Sequence, residues 1–224
     1  MNRRGVVIAP EELDEQWIRQ ILDGGINVVG LHPNPREGSA EVAMERFLSG
    51  HGAAFIKELE ARGVAVEWHV HALSCLMPRE LFATHPQWFR MNSNGQRTAD
   101  YNLCSSSEAA LQAVRDGAAR VAKLFRPISH RYYFWLDDVA EGACHCDACR
   151  GYSQADQALR IYNAILQGIR QVDPEMFEEI RQRVAEHTGL PQHQDLADGG
   201  KPHAGAGYAG GSGGPLHPER RYCD

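Results

Sequence analysis

The chain has 224 residues, of which 43% are hydrophobic and 23% charged, and its net charge is −6 at pH 7. An acidic chain without a Lys/Arg stripe is a poor candidate for a nucleic-acid binder, because such proteins neutralise phosphates with positive charge. No apolar run approaches the roughly 20 residues of a membrane span, and residues 1–9 lack a secretory signal's apolar stretch. We therefore expect a cytoplasmic protein without a nucleic-acid or membrane partner, unless a trimmed start has removed a signal peptide.

Apolar runs and helical patterns alternate along the first part of the chain. Strands are predicted at residues 5–9, 26–31, 64–70 and 132–136. A helix follows the first strand and ends at Gly24 and Gly25. The segment 39–62 is helical by composition, but Ser49, Gly50 and Gly52 predict two separate pieces.

Two more helices follow a long irregular stretch at residues 78–104. Ser105 and Glu108 form a predicted capping box for the first helix. Ser153 and Asp156 open the second. The apolar stripe predicted for this second helix consists of Leu159, Tyr162, Leu166 and Ile169.

Four strand-helix alternations predict an α/β fold with parallel strands joined by right-handed crossovers. No GxGxxG or GxxxxGK glycine pattern follows the first strand, which favours a (β/α)-barrel over a nucleotide-binding doubly wound sheet. A complete TIM barrel needs about 250 residues and eight strands. We therefore predict an incomplete TIM barrel of about four βα units over residues 1–172, followed by a divergent helix and a glycine-rich tail over 173–224.

The predicted incomplete barrel has consequences for assembly. A truncation, a frameshift or real divergence of the parent gene would each produce such a tail. The first and fourth strands would then be exposed sheet edges, which favour a homo-oligomer or poor folding.

Functional groups in α/β folds collect beyond the carboxyl ends of the strands. His32 follows the second strand, and His69 and His71 end the third. Asp137 and Asp138 follow the fourth. A carboxylate pair against apolar walls can have one pKa raised while the other group stays charged, as a general acid and a charge stabiliser require. The alternative is that one aspartate caps the next segment and the other faces water.

The irregular stretch 78–104 interleaves aromatic residues with Asn, Asp and Arg. Trp88, Phe89 and Tyr101 offer apolar ring faces, and the polar residues offer directional hydrogen bonds. This combination suits a sugar ring. An Ω-loop that packs its own aromatic residues is the alternative.

Cys144, Cys146 and Cys149 form a C-x-C-x-x-C cluster directly after the acid pair. Thiolates at this spacing can bind zinc, and a closed tetrahedral site needs a fourth ligand, which Cys104 or His145 could supply. One disulfide plus a free thiol, or three reduced cysteines, are the alternatives. We expect no required cofactor and a possible structural zinc.

Three segments follow one another along the chain: HPQWFRMNSNGQRTADYNLC, then YYFWLDDVAEGACHCDAC, then a helix with Tyr162 and Asn163. In these segments the sequence resembles the bacterial domain-of-unknown-function family 4838, whose members are glycoside-hydrolase-like TIM barrels. The resemblance covers residues 60–172 well. Relatives similar to endo-β-N-acetylglucosaminidases imply substrate-assisted hydrolysis of a glycan at a GlcNAc unit.

The resemblance implies roles for individual residues. Asp137 would orient the acetamido group of the sugar, and Asp138 would be the general acid, although related pairs often have glutamate there. The residues expected to bind the substrate are His71, Asp100, Asn102 and Trp135. The alternative is a non-catalytic carbohydrate- or metal-binding half-barrel, and a zinc-dependent hydrolase is a more distant one.

Overall fold

The computed structural model describes residues 2–33, 40–100, 102–136 and 141–176. Four parallel strands form one sheet in the order β1-β2-β3-β4 within these residues. The strands are β1 (Gly5–Ile8), β2 (Val28–Leu31), β3 (Ala65–His71) and β4 (Tyr133–Trp135). The predicted α/β class and its four strands are confirmed.

The strand order lacks the reversal that a doubly wound sheet has at its switch point. With right-handed crossovers, such an order places the connecting helices on one face of the sheet, as in a (β/α)-barrel. The outer strands of this sheet, in the part of the chain that is described, are β1 and β4. The helices are α1 (Glu15–Asp23), α2 (Ala40–Phe47), α3 (Ala53–Ala61), α4 (Leu73–Leu76), α5 (Glu108–Leu124) and α6 (Gln154–Arg170).

The predicted break between α2 and α3 is confirmed. The chain leaves helical geometry at Gly50, where φ is −93° and ψ is −136°. A Cβ atom at Gly52 would lie only 2.4 Å from the ring of Phe47. Glycine at position 52 therefore allows the ring to pack against the turn that separates the two helices.

The predicted capping box at Ser105 is wrong. Ser107 is the N-cap of α5, and its Oγ accepts a hydrogen bond from the Ala110 N–H at 3.3 Å. Ser105 is fully buried, with Oγ 3.7 Å from the Cys149 Sγ. Burial of Ser105 beside the cysteines moves the start of the helix. The predicted start of α6 at Ser153 is confirmed. A capping box forms there, since the Ser153 Oγ accepts from the Asp156 N–H and the Asp156 carboxylate accepts from the Ser153 N–H.

The buried face of α6 differs from the predicted stripe, because Leu159 and Tyr162 are exposed. The physical reason is a close contact with α5 near Gly168, where a Cβ atom would lie 2.2 Å from the Arg115 carbonyl oxygen. This approach rotates another face of α6 inward. The residues buried on that face are Gln157, Ile161, Ala164, Ile165, Gly168 and Ile169.

The two faces of β3 differ as strand alternation predicts. Val66, Trp68 and Val70 are buried in the main hydrophobic core, where the Trp68 ring makes edge contacts with Phe47 and Phe125. Glu67, His69 and His71 alternate with them and lie on the opposite face. This face carries the polar groups of the sheet.

The first polar group of this face, Glu67, is fully buried near the N-terminal end of the sheet. The Arg3 Nη2 lies 2.7 Å from both of its carboxylate oxygens, and the Ser129 hydroxyl donates a hydrogen bond to Oε1 at 2.5 Å. The carboxylate is therefore paired and hydrogen-bonded, as a buried charge requires.

A second polar network lies at the same end of the sheet, around the fully buried Asp173. The His130 Nδ1 and the Tyr132 hydroxyl each bond the carboxylate at 3.0 Å, and the Arg126 Nη2 lies 3.1 Å from Oδ1. Glu175 pairs with Arg126 and His130 from a more exposed position. Residues 173–176 thus join the folded part of the chain, whereas the predicted glycine-rich tail lies outside the described residues.

Among the described helices, none has the length and apolar character that a membrane span requires.

Candidate functional site

Three histidines and one tryptophan gather at the carboxyl ends of β2, β3 and β4. The ring of His32 lies 5.1 Å from that of Trp135 and 5.6 Å from that of His71, measured between centroids. Trp135 also makes edge contacts with His71 at 5.5 Å and with His69 at 5.8 Å. We call His32, His69, His71 and Trp135 the histidine–tryptophan cluster.

Hydrogen bonding sets the tautomer of His32. Its Nδ1 lies 2.7 Å from the carbonyl oxygen of His69, so Nδ1 carries the proton and donates it. In the neutral ring, Nε2 is then an acceptor. His32 therefore presents a hydrogen-bond acceptor on its second nitrogen.

His69 is held between neighbouring groups. Its ring stacks on Tyr133 with centroids 4.1 Å apart, and a Cβ atom at position 30 would lie 2.8 Å from its Nε2. Only glycine at position 30 leaves room for this ring. Burial lowers the pKa of His69, because the imidazolium form loses solvation.

A cavity of about 390 Å³ opens beside this cluster. His71, Asn102 and Trp135, three of the four residues predicted to bind the substrate, lie in its wall. The wall also includes Leu136, Tyr162, Gln154, Gln157, Gly142 and Ala143. A volume in this range is typical of small-molecule sites.

The fourth predicted residue, Asp100, lies outside the cavity lining. Its carboxylate accepts a hydrogen bond from the Arg90 Nη2 at 3.0 Å. Although partial burial raises the pKa of Asp100, hydrogen bonds with Thr98 and Arg90 outweigh it and lower this pKa overall. A direct contact between Asp100 and a substrate remains a prediction.

Asp137 and Asp138, the predicted catalytic pair, lie outside the described residues. The residues on either side of the gap are held by side chains. Leu136 lines the cavity, and its N–H donates to the Tyr162 hydroxyl at 3.4 Å. On the other side, the Arg90 Nη1 donates to the Glu141 carbonyl at 3.0 Å.

The aromatic residues of the 78–104 stretch do not line this cavity where they are described. Phe89 is fully buried and packs edge-on against Phe82, and Trp88 stacks on His85 at 4.1 Å. Tyr101 lies outside the described residues. The expectation that Phe89 faces a sugar is therefore wrong, because its ring is buried in the loop itself. Contact of the half-buried Trp88 with a sugar remains a prediction.

Tyr162 is the aromatic residue of the cavity wall that the sequence stripe assigned to packing. It is 39% exposed, as is Trp135 in the same wall. An aromatic residue with a hydroxyl in an otherwise aliphatic stripe is the signal that could have separated it from the core. Gln157, a buried amide in the same wall, gave no comparable signal.

The four cysteines Cys104, Cys144, Cys146 and Cys149 come together beside the cavity. All four are buried and unbridged, and their sulfur atoms lie within 4.8 Å of one another. The Cys104 Sγ is 3.7 Å from the Sγ atoms of Cys146 and Cys149. Tetrahedral zinc with Zn–S bonds of about 2.3 Å places its sulfur ligands roughly 3.8 Å apart, so the residues fit a closed zinc site.

The environment of this cysteine cluster favours a thiolate at Cys104, whereas the pKa values of Cys144 and Cys149 are raised. The Arg97 Nη1 lies 3.8 Å from the Cys144 Sγ. A hydrogen bond with Cys144 lowers the pKa of the Cys104 thiol to about 4, with Arg97 contributing in the same direction. The same hydrogen bond with Cys104 raises the pKa of Cys144. Four thiols in one buried place with an adjacent guanidinium can hold a soft or borderline metal ion.

The chain matches one protein family and is similar to one solved enzyme structure. Residues 44–180 match the family model described as a domain of unknown function (DUF4838). No curated protein matches the chain. Among solved structures, the chain is similar to a β-galactosidase from Bacillus circulans sp. alkalophilus, with 15% identity and a TM-score of 0.41. The match covers 66% of this chain and 22% of that enzyme.

Proposed function

The chain belongs to the family described as a domain of unknown function (DUF4838), and from this premise we propose that it hydrolyses GlcNAc-containing or related glycans in the cavity at the carboxyl ends of β3 and β4. One observation carries the proposal. Trp135, His71 and Asn102 line a single cavity whose wall includes Leu136, the residue directly before the acid pair.

The cavity combines the two kinds of contact that a carbohydrate needs. The exposed faces of Trp135 and Tyr162 suit the C–H surface of a sugar ring. His71, Asn102 and the Tyr162 hydroxyl add directional hydrogen-bonding groups to the same wall. These residues support a glycan as the ligand.

The proposed reaction is substrate-assisted. The acetamido oxygen of GlcNAc attacks the anomeric carbon as the bond to the leaving oxygen breaks, and Asp138 gives its proton to that oxygen. Asp137 stabilises the acetamido nitrogen. A water molecule then attacks the anomeric carbon, the bond from this carbon to the acetamido oxygen breaks, and one proton of the water returns to Asp138. Enzymes of this kind are exceptions to the rule of two separated carboxylates.

Hydrolysis assays of the full chain test this proposal with aryl N-acetylglucosaminides and complex N-glycans. Asp138→Asn should lower kcat about 100-fold to 10,000-fold, because a general acid contributes on this scale. Asp137→Asn should lower it as well. The matched control is Asp23→Asn, on the exposed last residue of α1. The absence of turnover, or unchanged turnover in Asp138→Asn, would contradict the proposal and favour a non-catalytic glycan-binding protein.

We also propose that Cys104, Cys144, Cys146 and Cys149 hold a structural zinc ion. Their sulfur distances support tetrahedral binding, and four thiolates leave no open position for a reacting water molecule. The role of the ion would therefore be to hold the loops together.

Metal analysis of the purified full chain tests the zinc site. We expect one zinc per chain in the parent protein and less than half of that in Cys146→Ser. Cys75→Ser is the control, because Cys75 lies in the core and burial raises its pKa to about 12. A metal-free parent protein, or equal zinc content in Cys146→Ser, would contradict the site.

A further inference from the structure

We infer that Asn102 and Gln157 are positioning residues through which metal binding at the cysteine cluster sets the wall of the glycan cavity. The inference deepens the proposed function and rests on it, since it assigns a regulatory link between the two proposed sites. It concerns the segment that the cavity and the cluster share.

The shared segment is only three residues long. Gly142 and Ala143 line the cavity, and the next residue, Cys144, belongs to the cysteine cluster. A second stretch has the same arrangement, because Asn102 lines the cavity and Cys104 joins the cluster two residues later. The cluster therefore joins two neighbouring stretches of the cavity wall.

Buried side chains tie these stretches to each other and to α6. The Asn102 Nδ2 donates to the Gly142 carbonyl at 3.2 Å. The Gln157 Oε1 accepts from the Cys144 N–H at 2.8 Å, while its Nε2 donates to the Cys144 carbonyl at 3.1 Å. Asn102 and Gln157 are 6% and 5% exposed. Both amide side chains are thus hydrogen-bonded to the backbone of the segment 142–144, and a shift of this backbone would move them.

A metal ion would change how firmly this wall is held. Among the thiols themselves, the contacts are long and weak sulfur hydrogen bonds of 3.7 Å. A bound zinc would instead be bonded directly to the sulfur atoms of Cys104 and Cys144 and would so link the two stretches through the ion. Side chains that are hydrogen-bonded to metal-binding residues fix the orientation of those residues. Asn102 and Gln157 can therefore carry a shift of the cysteines to the cavity wall. Zinc binding should therefore move or stiffen the residues around the cavity.

Zinc titration of the metal-free full chain tests the inference through the fluorescence of Trp135 in the cavity wall. The Trp135 signal is the difference between the parent protein and Trp135→Phe, since the chain has 4 tryptophans. We expect zinc to change this signal and to saturate it at one ion per chain. Asn102→Ala and Gln157→Leu should still bind one zinc but should lose most of this signal change.

The matched control is Gln154→Ala, because Gln154 lines the same cavity from the exposed first residue of α6. It should keep the full response. Circular dichroism checks that each variant folds. If Gln157→Leu does not fold, the result for Asn102→Ala decides the test. A full response in the folded variants, an equal loss in Gln154→Ala, or no response of the parent protein to zinc would overturn the inference.

The readout separates this inference from the proposed reaction. A protein that shows the coupled Trp135 signal but cleaves no glycan would reject only the hydrolase. A protein that cleaves glycans while its Trp135 signal ignores zinc would reject only the coupling.

Discussion

The two ends of the sheet treat their polar residues in opposite ways. At the N-terminal end, Glu67 and Asp173 are fully buried and each is bonded to positively charged or hydroxyl groups. At the carboxyl end, His71 and Asn102 lie in the wall of a cavity. The N-terminal end pairs its polar groups with each other, whereas the carboxyl end places the partly exposed His71 beside a space that a ligand can enter.

This difference predicts which polar residues stabilise the fold and which can contact a ligand. A buried carboxylate that loses its partners leaves an uncompensated charge, so changes at the N-terminal end should act on stability. A partly exposed side chain at a cavity wall, such as His71, costs less to remove. Changes at the carboxyl end should therefore act mainly on binding, except where a ring is tightly packed.

The largest expected effect on stability is at Asp173. Asp173→Ala removes the acceptor of His130 and Tyr132 and leaves Arg126 without this buried partner. We expect the free energy of unfolding to fall by about 3 kcal/mol, the range for breaking a buried pair. Urea unfolding followed by circular dichroism measures it.

Glu175→Ala is the control in the same network, because the Glu175 side chain is 66% exposed. It should change the free energy of unfolding by no more than about 1 kcal/mol.

Burial alone raises the pKa of Asp173, but hydrogen bonds from His130 and Tyr132 and the charge of Arg126 lower it overall. The stability from Asp173 should therefore be present above its unfolded pKa and be lost as the pH falls through the lowered folded pKa. Equal losses of unfolding free energy in Asp173→Ala and Glu175→Ala would contradict the expected difference between the buried and the exposed carboxylate of this network.

A smaller effect is expected from Gly30→Ala, which tests the tightly packed part of the carboxyl end. The added methyl group would lie 2.8 Å from the Nε2 of His69, whose ring is stacked on Tyr133. We expect a loss of about 2 kcal/mol in the free energy of unfolding, as for other overpacked sites. Gly5→Ala in β1 is the control, because its nearest contacts would be an ordinary 3.5 Å. An unchanged Gly30→Ala protein would show that the His69 ring can move freely.

Much of the fold could be predicted from the sequence, since each strand is a short apolar run set between helical patterns. The cysteine cluster was also predictable, because C-x-C-x-x-C needs a fourth ligand and Cys104 supplies the fourth sulfur. The structure places His71, Asn102 and Trp135 in one cavity wall, although their predicted contact with a substrate stays a prediction.

The errors have a common physical origin in tertiary packing. Serine is a residue type that often caps helices, but Ser105 is buried beside the cysteines. Phenylalanine can stack on a sugar ring, but the ring of Phe89 packs against Phe82. The face of α6 that packs inward depends on the close contact between α5 and α6 near Gly168, which the spacing of apolar residues does not predict. Local patterns predicted these elements, but the contacts between elements decided which side chains stayed accessible.

The smallest expected effect is a pH dependence that distinguishes His69 from an exposed histidine. Burial lowers the pKa of folded His69, so the unfolded chain binds more protons between that pKa and the unfolded value near 6.5. Stability from a neutral His69 is then fully present above pH 6.5 and declines as the pH falls through this window. Urea unfolding at pH 5, 6 and 7 should show a weaker pH dependence in His69→Gln than in the parent protein. His51→Gln, at an exposed position before α3, should leave the pH dependence unchanged, and a His69→Gln protein that behaves like it would place His69 among the solvated groups.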